Sequence, residues 1–189
     1  RGKGRPVVIA NVTEGEPASA KDKTLAVRLP HLLLDGAMYA AKAVGASEVV
    51  IAFERGARTA LAAVENALQE RRQAGEAMRS VRTHTVPDRF VSGEESALVN
   101  HVNGGIAKPY TTPPRVFEKG VGGRPTLVDN AETLAHVALI AVHGAEWFRE
   151  TGTPDSPGTM LVTVSGAVAH SQVTEVPLGT SLSTLLDMA

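Results

Sequence analysis

The sequence predicts an α/β fold built on a parallel sheet, and two observations carry that expectation. Short apolar runs alternate with longer stretches of helical periodicity. The first two runs, Val7-Val8-Ile9-Ala10 and Val49-Val50-Ile51-Ala52-Phe53, are unbroken by polar residues. Strands covered on both faces read that way, whereas strands with one wet face alternate. A third segment, Val81 to Val86, does alternate, with Val81, Thr83 and Thr85 set against Arg82, His84 and Val86. The order is β-α-β-α-β, which implies right-handed crossovers and a parallel sheet.

The elements follow in order. After the first run the chain is polar from Thr13 to Thr24 and reads as a loop. Pro30 suits the first turn of a helix, where its missing N–H costs nothing. Leu33, Leu34, Met38, Ala41 and Val44 form the apolar stripe of that helix, and Gly45 stops it. A second helix runs from about Ala57 to Ala74, with Leu61, Val64, Ala67 and Leu68 inward and Glu70, Arg71 and Arg72 outward. Glu94-Glu95 opens a third helix, for which Ser92 is the expected cap.

Gly104 to Gly123 is rich in Gly and Pro, the mark of a long functional or flexible loop. A helical pattern resumes from Asn130 to Val142 through Leu134, Val137, Ala138 and Ala141. Trp147-Phe148 follows and reads as a core cluster at a domain junction. Gly152 to Gly158 is a linker, and Met160–Val164 and Val173–Val176 are strands of a second unit with a helix from near Ser181. About 30 residues of this kind cannot bury a core of their own. The expected division is 1–152 for an α/β domain and 153–189 for part of a β-rich one.

Composition narrows the function. The formal net charge of -1 and the absence of a basic stripe offer nothing to a nucleic-acid backbone. With 0 Cys the chain can hold neither a disulfide nor a thiolate-ligated cluster, so electron transfer here needs an organic cofactor. No apolar run nears the ~20 residues of a membrane span, and the basic start Arg1-Gly2-Lys3-Gly4-Arg5 precedes no signal-peptide core. The six His are scattered and read as isolated surface or helix residues.

Three motifs carry the chemistry. They are Asn11-Val12-Thr13-Glu14-Gly15-Glu16-Pro17, Ser92-Gly93-Glu94-Glu95-Ser96-Ala97-Leu98, and Pro125-Thr126-Leu127-Val128-Asp129-Asn130-Ala131-Glu132-Thr133-Leu134. The first follows a strand, so it lies at the carboxyl edge where open α/β sheets bind ligands. The second follows the loop beyond the third strand and approaches the same edge. Each motif has a plain structural explanation. Asn11 can end a strand in a turn, Glu14 can be solvated, and acidic residues favour a helix start by ~0.3–1 kcal/mol through the helix dipole. That dipole does not explain a Gly placed before a Glu pair. Gly120-Val121-Gly122-Gly123 lacks a preceding strand and the spacing of a dinucleotide fingerprint.

On these motifs the chain resembles the flavin-bearing (51 kDa, or F) subunit of the respiratory NADH:quinone oxidoreductase, complex I, and its soluble relatives. Asn11 to Pro17 with Lys21-Asp22 matches the family's N-x-x-E-G-E-P…K-D. Pro30-His31-Leu32-Leu33-Leu34-Asp35-Gly36, Gly45-Ala46-Ser47-Glu48, Gly93 to Leu98, Pro125 to Ala135, Gly144 to Phe148 and Ser156 to Thr159 continue the match in the same order. The resemblance covers essentially the whole chain. It departs at Thr13, where a carboxylate is usual, at Phe90 for Tyr, Ser92 for Cys, Asp129 for Asn, and Thr112 for a basic residue.

The resemblance implies an FMN-binding α/β domain of the complex I flavin subunit, followed by the start of a β-grasp (soluble-ligand-binding) domain. It implies FMN as cofactor, NADH as hydride donor, and a 4Fe-4S cluster held elsewhere in the full-length protein. By resemblance the cofactor-binding residues are Asn11, Glu14, Glu16, Phe90, Gly93, Glu94, Glu95, Asp129, Asn130 and Thr133. So many carboxylates repel anions, so the nucleotide's phosphates must lie away from them or be offset by Lys21 or Arg115. No catalytic acid, base or metal is expected, since hydride transfer needs none. The family's Gly-rich phosphate loop precedes its first strand, so the chain is expected to be the middle of a longer protein and inactive alone. The expected partners are redox subunits or a ferredoxin-like acceptor, with no membrane insertion. The expected place is cytoplasmic, peripheral to the inner face of a membrane. The alternatives are a degenerate scaffold that assembles redox partners, motivated by Thr13 and Asp129, and a component of a related ion-pumping electron-transfer complex.

Overall fold

A computed structural model describes residues 3–189; Arg1 and Gly2 of the basic start lie outside the described residues. Strand β1 (Val7–Asn11) is followed by helices α1 (Lys21–Arg28) and α2 (Pro30–Val44), then β2 (Glu48–Glu54) and α3 (Arg58–Gln73). Next come β3 (Val81–Val86), α4 (Glu95–Val102), β4 (Thr126–Asn130), α5 (Ala131–His143) and α6 (Ala145–Arg149). The chain closes with β5 (Thr159–Val164), β6 (Gln172–Pro177) and α7 (Leu182–Asp187).

The first four strands form one parallel sheet in the order β3-β2-β1-β4. The unbroken apolar runs have the expected cause, because both faces of β1 and β2 are covered. On one face Val8, Ala10, Val49, Ile51 and Phe53 pack under α1, α2, α3 and α5 through Leu25, Leu33, Leu34, Val64, Leu68 and Leu134. On the other face Val7, Ile9, Val50 and Ala52 pack under α4 and the Gly- and Pro-rich segment through Leu98, Val99, Val116 and Val121. Each fully buried side chain of this size contributes about 1.5–3 kcal/mol relative to exposure.

Helix α2 begins with Pro30 in its first turn and ends at Gly45, whose φ of 66° is the left-handed stop expected there. Halfway along, Gly36 meets the backbone of Leu134 on α5 so closely that a Cβ has no room. This crossing brings α5, and with it the end of β4, over the centre of the sheet.

Several expectations fail for physical reasons. The stretch Thr126–Asn130, read only as a motif before a helix, is a fourth strand paired in register with β1. Five residues with a polar end give little periodicity, and the partner strand lies more than a hundred positions away. The polar stretch through Thr24 is not all loop. Helix α1 starts at Lys21, with Leu25 and Ala26 buried beneath it. Arg71, expected outward, is buried, and its guanidinium donates to Asp35 at 2.6 Å and to the His31 carbonyl at 2.9 Å. An arginine that finds a carboxylate and a carbonyl on a neighbouring helix can lie under it. Val44 and Ala141, expected on apolar faces, are exposed at the ends of their helices.

Strands β5 and β6 form an antiparallel hairpin, and Leu161 packs against the main core. Phe148 is half-buried against His136, ring centroids 5.4 Å apart, as expected of a junction residue. Trp147 instead lies on the surface beside His143. Among the described residues no helix is long and apolar enough to cross a membrane.

Candidate functional site

Three loops converge at the carboxyl edge of the sheet. Asn11 and Asn130 stand in register at the ends of β1 and β4. The turn before α4 folds onto the same edge, where the Asn11 Nδ2 donates to the Gly93 carbonyl at 2.9 Å. The Asn11 Oδ1 accepts from the Thr13 hydroxyl at 2.6 Å and from its backbone N–H at 3.1 Å. These bonds fix the amide orientation and leave one Nδ2 hydrogen unused.

Close packing explains the glycines of both motifs. A Cβ at Gly93 would run into the Thr13 hydroxyl, and one at Gly15 would sit 2.5 Å from the Phe90 carbonyl. The Gly before the Glu pair is therefore required by the approach of the two loops, which a helix dipole alone does not explain.

The Glu pair divides its labour. Glu94, not Ser92, is the N-cap of α4. Its Oε2 accepts from the Ser96 N–H at 3.0 Å, the Ser96 hydroxyl at 2.6 Å and the Ala97 N–H at 2.9 Å. Burial acts to raise its carboxyl, but the Ser96 and Ala97 bonds outweigh it and hold the group below the usual carboxylate range. Ser92 lies fully buried in the preceding turn, and its Oγ has no partner among the described residues. The Glu95 side chain makes no hydrogen bond among the described residues. Tyr110, from the Gly- and Pro-rich segment, stands near it; burial and the charges of Glu95 and Glu94 push its phenol up.

Glu14 is buried, and its carboxylate accepts from the Ser19 hydroxyl at 2.5 Å and from the Lys23 N–H at 3.1 Å, which anchors the start of α1. Glu16 is exposed, and its carboxylate accepts from the Ala18 N–H at 3.5 Å. Phe90 is 76% exposed, an open aromatic face beside this loop. Glu14, Gly15, Lys23, Glu54, Arg89 and Phe90 line a cleft of about 350 Å³. A roomier cleft of about 440 Å³ between α2 and α3 contains no residue of the three motifs at the sheet edge, so its size does not mark it as the site.

Asn130 caps α5 by accepting from the Glu132 N–H at 2.9 Å and donates to Asp22 at 2.8 Å. The Asp129 carboxylate turns back onto the Asn130 N–H at 2.9 Å, and Thr133 is exposed on the first turn of α5. Lys21, expected to offset phosphates, is spent on Asp22, Glu132 and Asn130. Arg115 remains exposed.

One residue of this edge escaped the sequence reading. Glu54 closes β2, and its Oε1 is buried without a partner while Oε2 lies 3.8 Å from the Lys23 ammonium. Burial pushes its carboxyl up, with Lys23 opposing. A lone acid ending an otherwise apolar strand was the available signal. Among the described residues no group of three or more His, Asp or Glu could hold a metal ion.

These residues fit a flavin better than a metal or a simple anion. Two oriented amides each keep a spare N–H, Glu95 is unengaged, and two buried oxygens lack partners. Known proteins agree. Residues 1–139 match the family described as the Nuo51 FMN-binding domain. The alpha subunit of the NAD-reducing hydrogenase HoxS from Cupriavidus necator is 36% identical over 192 aligned positions, covering 96% of this chain and 32% of the relative. The F subunit of NADH-quinone oxidoreductase from Escherichia coli is 34% identical over 190 positions, covering 95% of this chain and 42% of the relative. The crystal structure of an NAD+-reducing [NiFe]-hydrogenase in the air-oxidized state superposes with a TM-score of 0.88 at 36% identity, over 98% of this chain and 32% of the matched one. The chain thus spans about a third to two fifths of the length of these relatives. With motifs, parallel sheet and structural match in agreement, the chain belongs to the Nuo51 FMN-binding domain family.

Proposed function

We propose that this chain carries the FMN site at which the full-length protein takes electrons from NADH. The observation that supports this most is the convergence of Asn11, Gly93–Glu95 and Asn130 on one sheet edge, held by the Asn11–Gly93 bond. Bound FMN would supply the hydride acceptor, chemistry that no side chain here possesses. Asn11 and Asn130 would offer their spare amide hydrogens to it, and Gly93 and Gly15 would let the loops around it pack against each other. Phe90 would cover an aromatic face and exclude water. Glu95 and Glu16 would meet the nicotinamide nucleotide, and Asp129 and Thr133 would line the same edge. Glu14 and Glu94 would act from behind by fixing their loops.

The remaining parts of the reading follow the relatives. Residues 153–189 would begin a β-grasp domain, with 1–152 as the flavin domain. A 4Fe-4S cluster would receive the electrons elsewhere in the full-length protein, because this chain has 0 Cys. Redox subunits or a ferredoxin-like acceptor would follow, in the cytoplasm or on the inner face of a membrane.

One observation favours the scaffold reading. Thr13 and Glu14 are spent on internal bonds instead of facing a ligand. Anaerobic addition of NADH to the FMN-loaded full-length protein separates the two. Rapid bleaching of the flavin absorbance is expected for the flavoenzyme. Bound FMN that NADH leaves unbleached, or tight binding of a redox partner without any FMN uptake, would favour the scaffold.

A further inference from the structure

A half-buried polar chain runs from the candidate flavin edge to the hairpin, with Lys21 at its centre. A lysine ammonium has three donors, and all three are used. They reach the Asp22 Oδ1 at 2.8 Å, the Glu132 Oε2 at 2.9 Å and the Asn130 Oδ1 at 3.2 Å. The other carboxylate oxygen of Glu132 accepts from the Leu161 N–H of β5 at 2.5 Å. Nearby, the Thr163 hydroxyl oxygen of the same strand accepts from the Ala20 N–H at 3.0 Å. The Leu161 N–H on the outer edge of β5 is thus taken by a carboxylate that Lys21 holds in place.

We propose that Lys21 is a positioning residue that locks the Asn130 amide and the β5–β6 hairpin into one arrangement, so that ligand binding at Asn130 and docking of the hairpin stabilise each other. The orientation of Asn130 has no freedom while this network stands. Its oxygen faces Lys21 and the Glu132 N–H, and its nitrogen faces Asp22, which leaves a single N–H for a ligand. Without the ammonium, the Asp22 and Glu132 carboxylates would face each other across a site where their side chains are 3% and 14% exposed. Breaking a buried pair costs far more than breaking a surface one. Burial acts to lower the Lys21 ammonium, but the bonds to Asp22 and Glu132 outweigh it and push it up, so the residue stays charged. Linkage is reciprocal: whatever factor docking adds to affinity at Asn130, binding returns to docking.

The coupling half rests on the flavin reading, but the latch does not. The test is amide hydrogen exchange on the full-length protein, wild type, Lys21→Met and Lys21→Arg, with and without FMN. Without FMN, Lys21→Met is expected to speed exchange of the Leu161 amide, which Glu132 accepts, roughly tenfold or more, while β1 and β2 amides keep their protection. Lys21→Arg should restore most of the protection, which a mere packing role would not predict. With FMN, hairpin exchange should slow in wild type and not in Lys21→Met. Unchanged hairpin exchange in flavin-free Lys21→Met overturns the latch. FMN that binds wild type without slowing the hairpin overturns the coupling. Failure of wild type to bind FMN sinks the flavin reading and with it the coupling, while the flavin-free comparison still decides the latch.

Discussion

The Asn11 amide donates to the Gly93 carbonyl across 82 positions of sequence at 2.9 Å, and this bond joins the end of β1 to the turn that opens α4. Around it Thr13 bridges both sides. Its hydroxyl donates to Asn11 and touches the place a Cβ would occupy on Gly93. Two loops that the sequence separates thus form one wall.

Gly93→Ala should therefore act on fold and site together. The new methyl meets a hydroxyl that cannot swing away without giving up Asn11. Overpacking of this kind costs about 1–3 kcal/mol. Urea unfolding should show that loss, and FMN affinity should fall roughly tenfold, the equivalent of about 1.4 kcal/mol. A variant as stable as wild type with unchanged affinity would mean that the two loops do not need this contact.

The Glu pair offers a cleaner separation. Glu94→Ala removes a cap with three bonds and should cost ~0.5–2 kcal/mol of stability. Glu95→Gln should leave stability within about 0.5 kcal/mol, because that side chain makes no hydrogen bond or ion pair among the described residues. Its effect should appear instead as a raised KM for NADH. Equal KM values for Glu95→Gln and wild type would remove Glu95 from the nucleotide site.

A pair of histidines gives the fold a pH dependence. His84 on β3 and His101 on α4 lie with ring nitrogens 2.8 Å apart. Burial, with help from His101 and Arg82, lowers His84 from 6.5 to about 4. Between those values the unfolded chain takes up a proton that the folded one refuses, so stability falls as pH drops through this window and levels off below it. Solvent screening of this half-exposed ring limits the loss to on the order of 1 kcal/mol. Unfolding measured from pH 7 to pH 4 should show a shallower slope in His84→Gln. An identical slope in the variant would place the pH sensitivity elsewhere.

Much of this architecture was legible in the residues. Unbroken Val- and Ile-rich runs implied strands covered on both faces, and Pro30 and Gly45 bracketed α2. What could not be read depended on partners distant in sequence. Strand β4 exists because β1 offers it an edge, and α1 exists because Glu14 and Thr163 hold its start. Arg71 lies inward because Asp35 and the His31 carbonyl wait for it. At the candidate site, position was legible and division of labour was not. The pattern placed Glu94 and Glu95 together, but only the fold assigns the cap to one and leaves the other unengaged. Glu54 carried no motif, and its buried unpaired oxygen became visible only in three dimensions.

The central claim is that Asn11 and Asn130 present one flavin site at the ends of β1 and β4. Its most direct test is an FMN titration, followed by quenching of flavin fluorescence, on the full-length protein and on its Asn11→Ala and Asn130→Ala variants. The account predicts one FMN per wild-type chain and an affinity lowered roughly tenfold or more in each variant, the loss of one to two hydrogen bonds. Absence of quenching with wild type, or variants that bind as tightly as wild type, would contradict it.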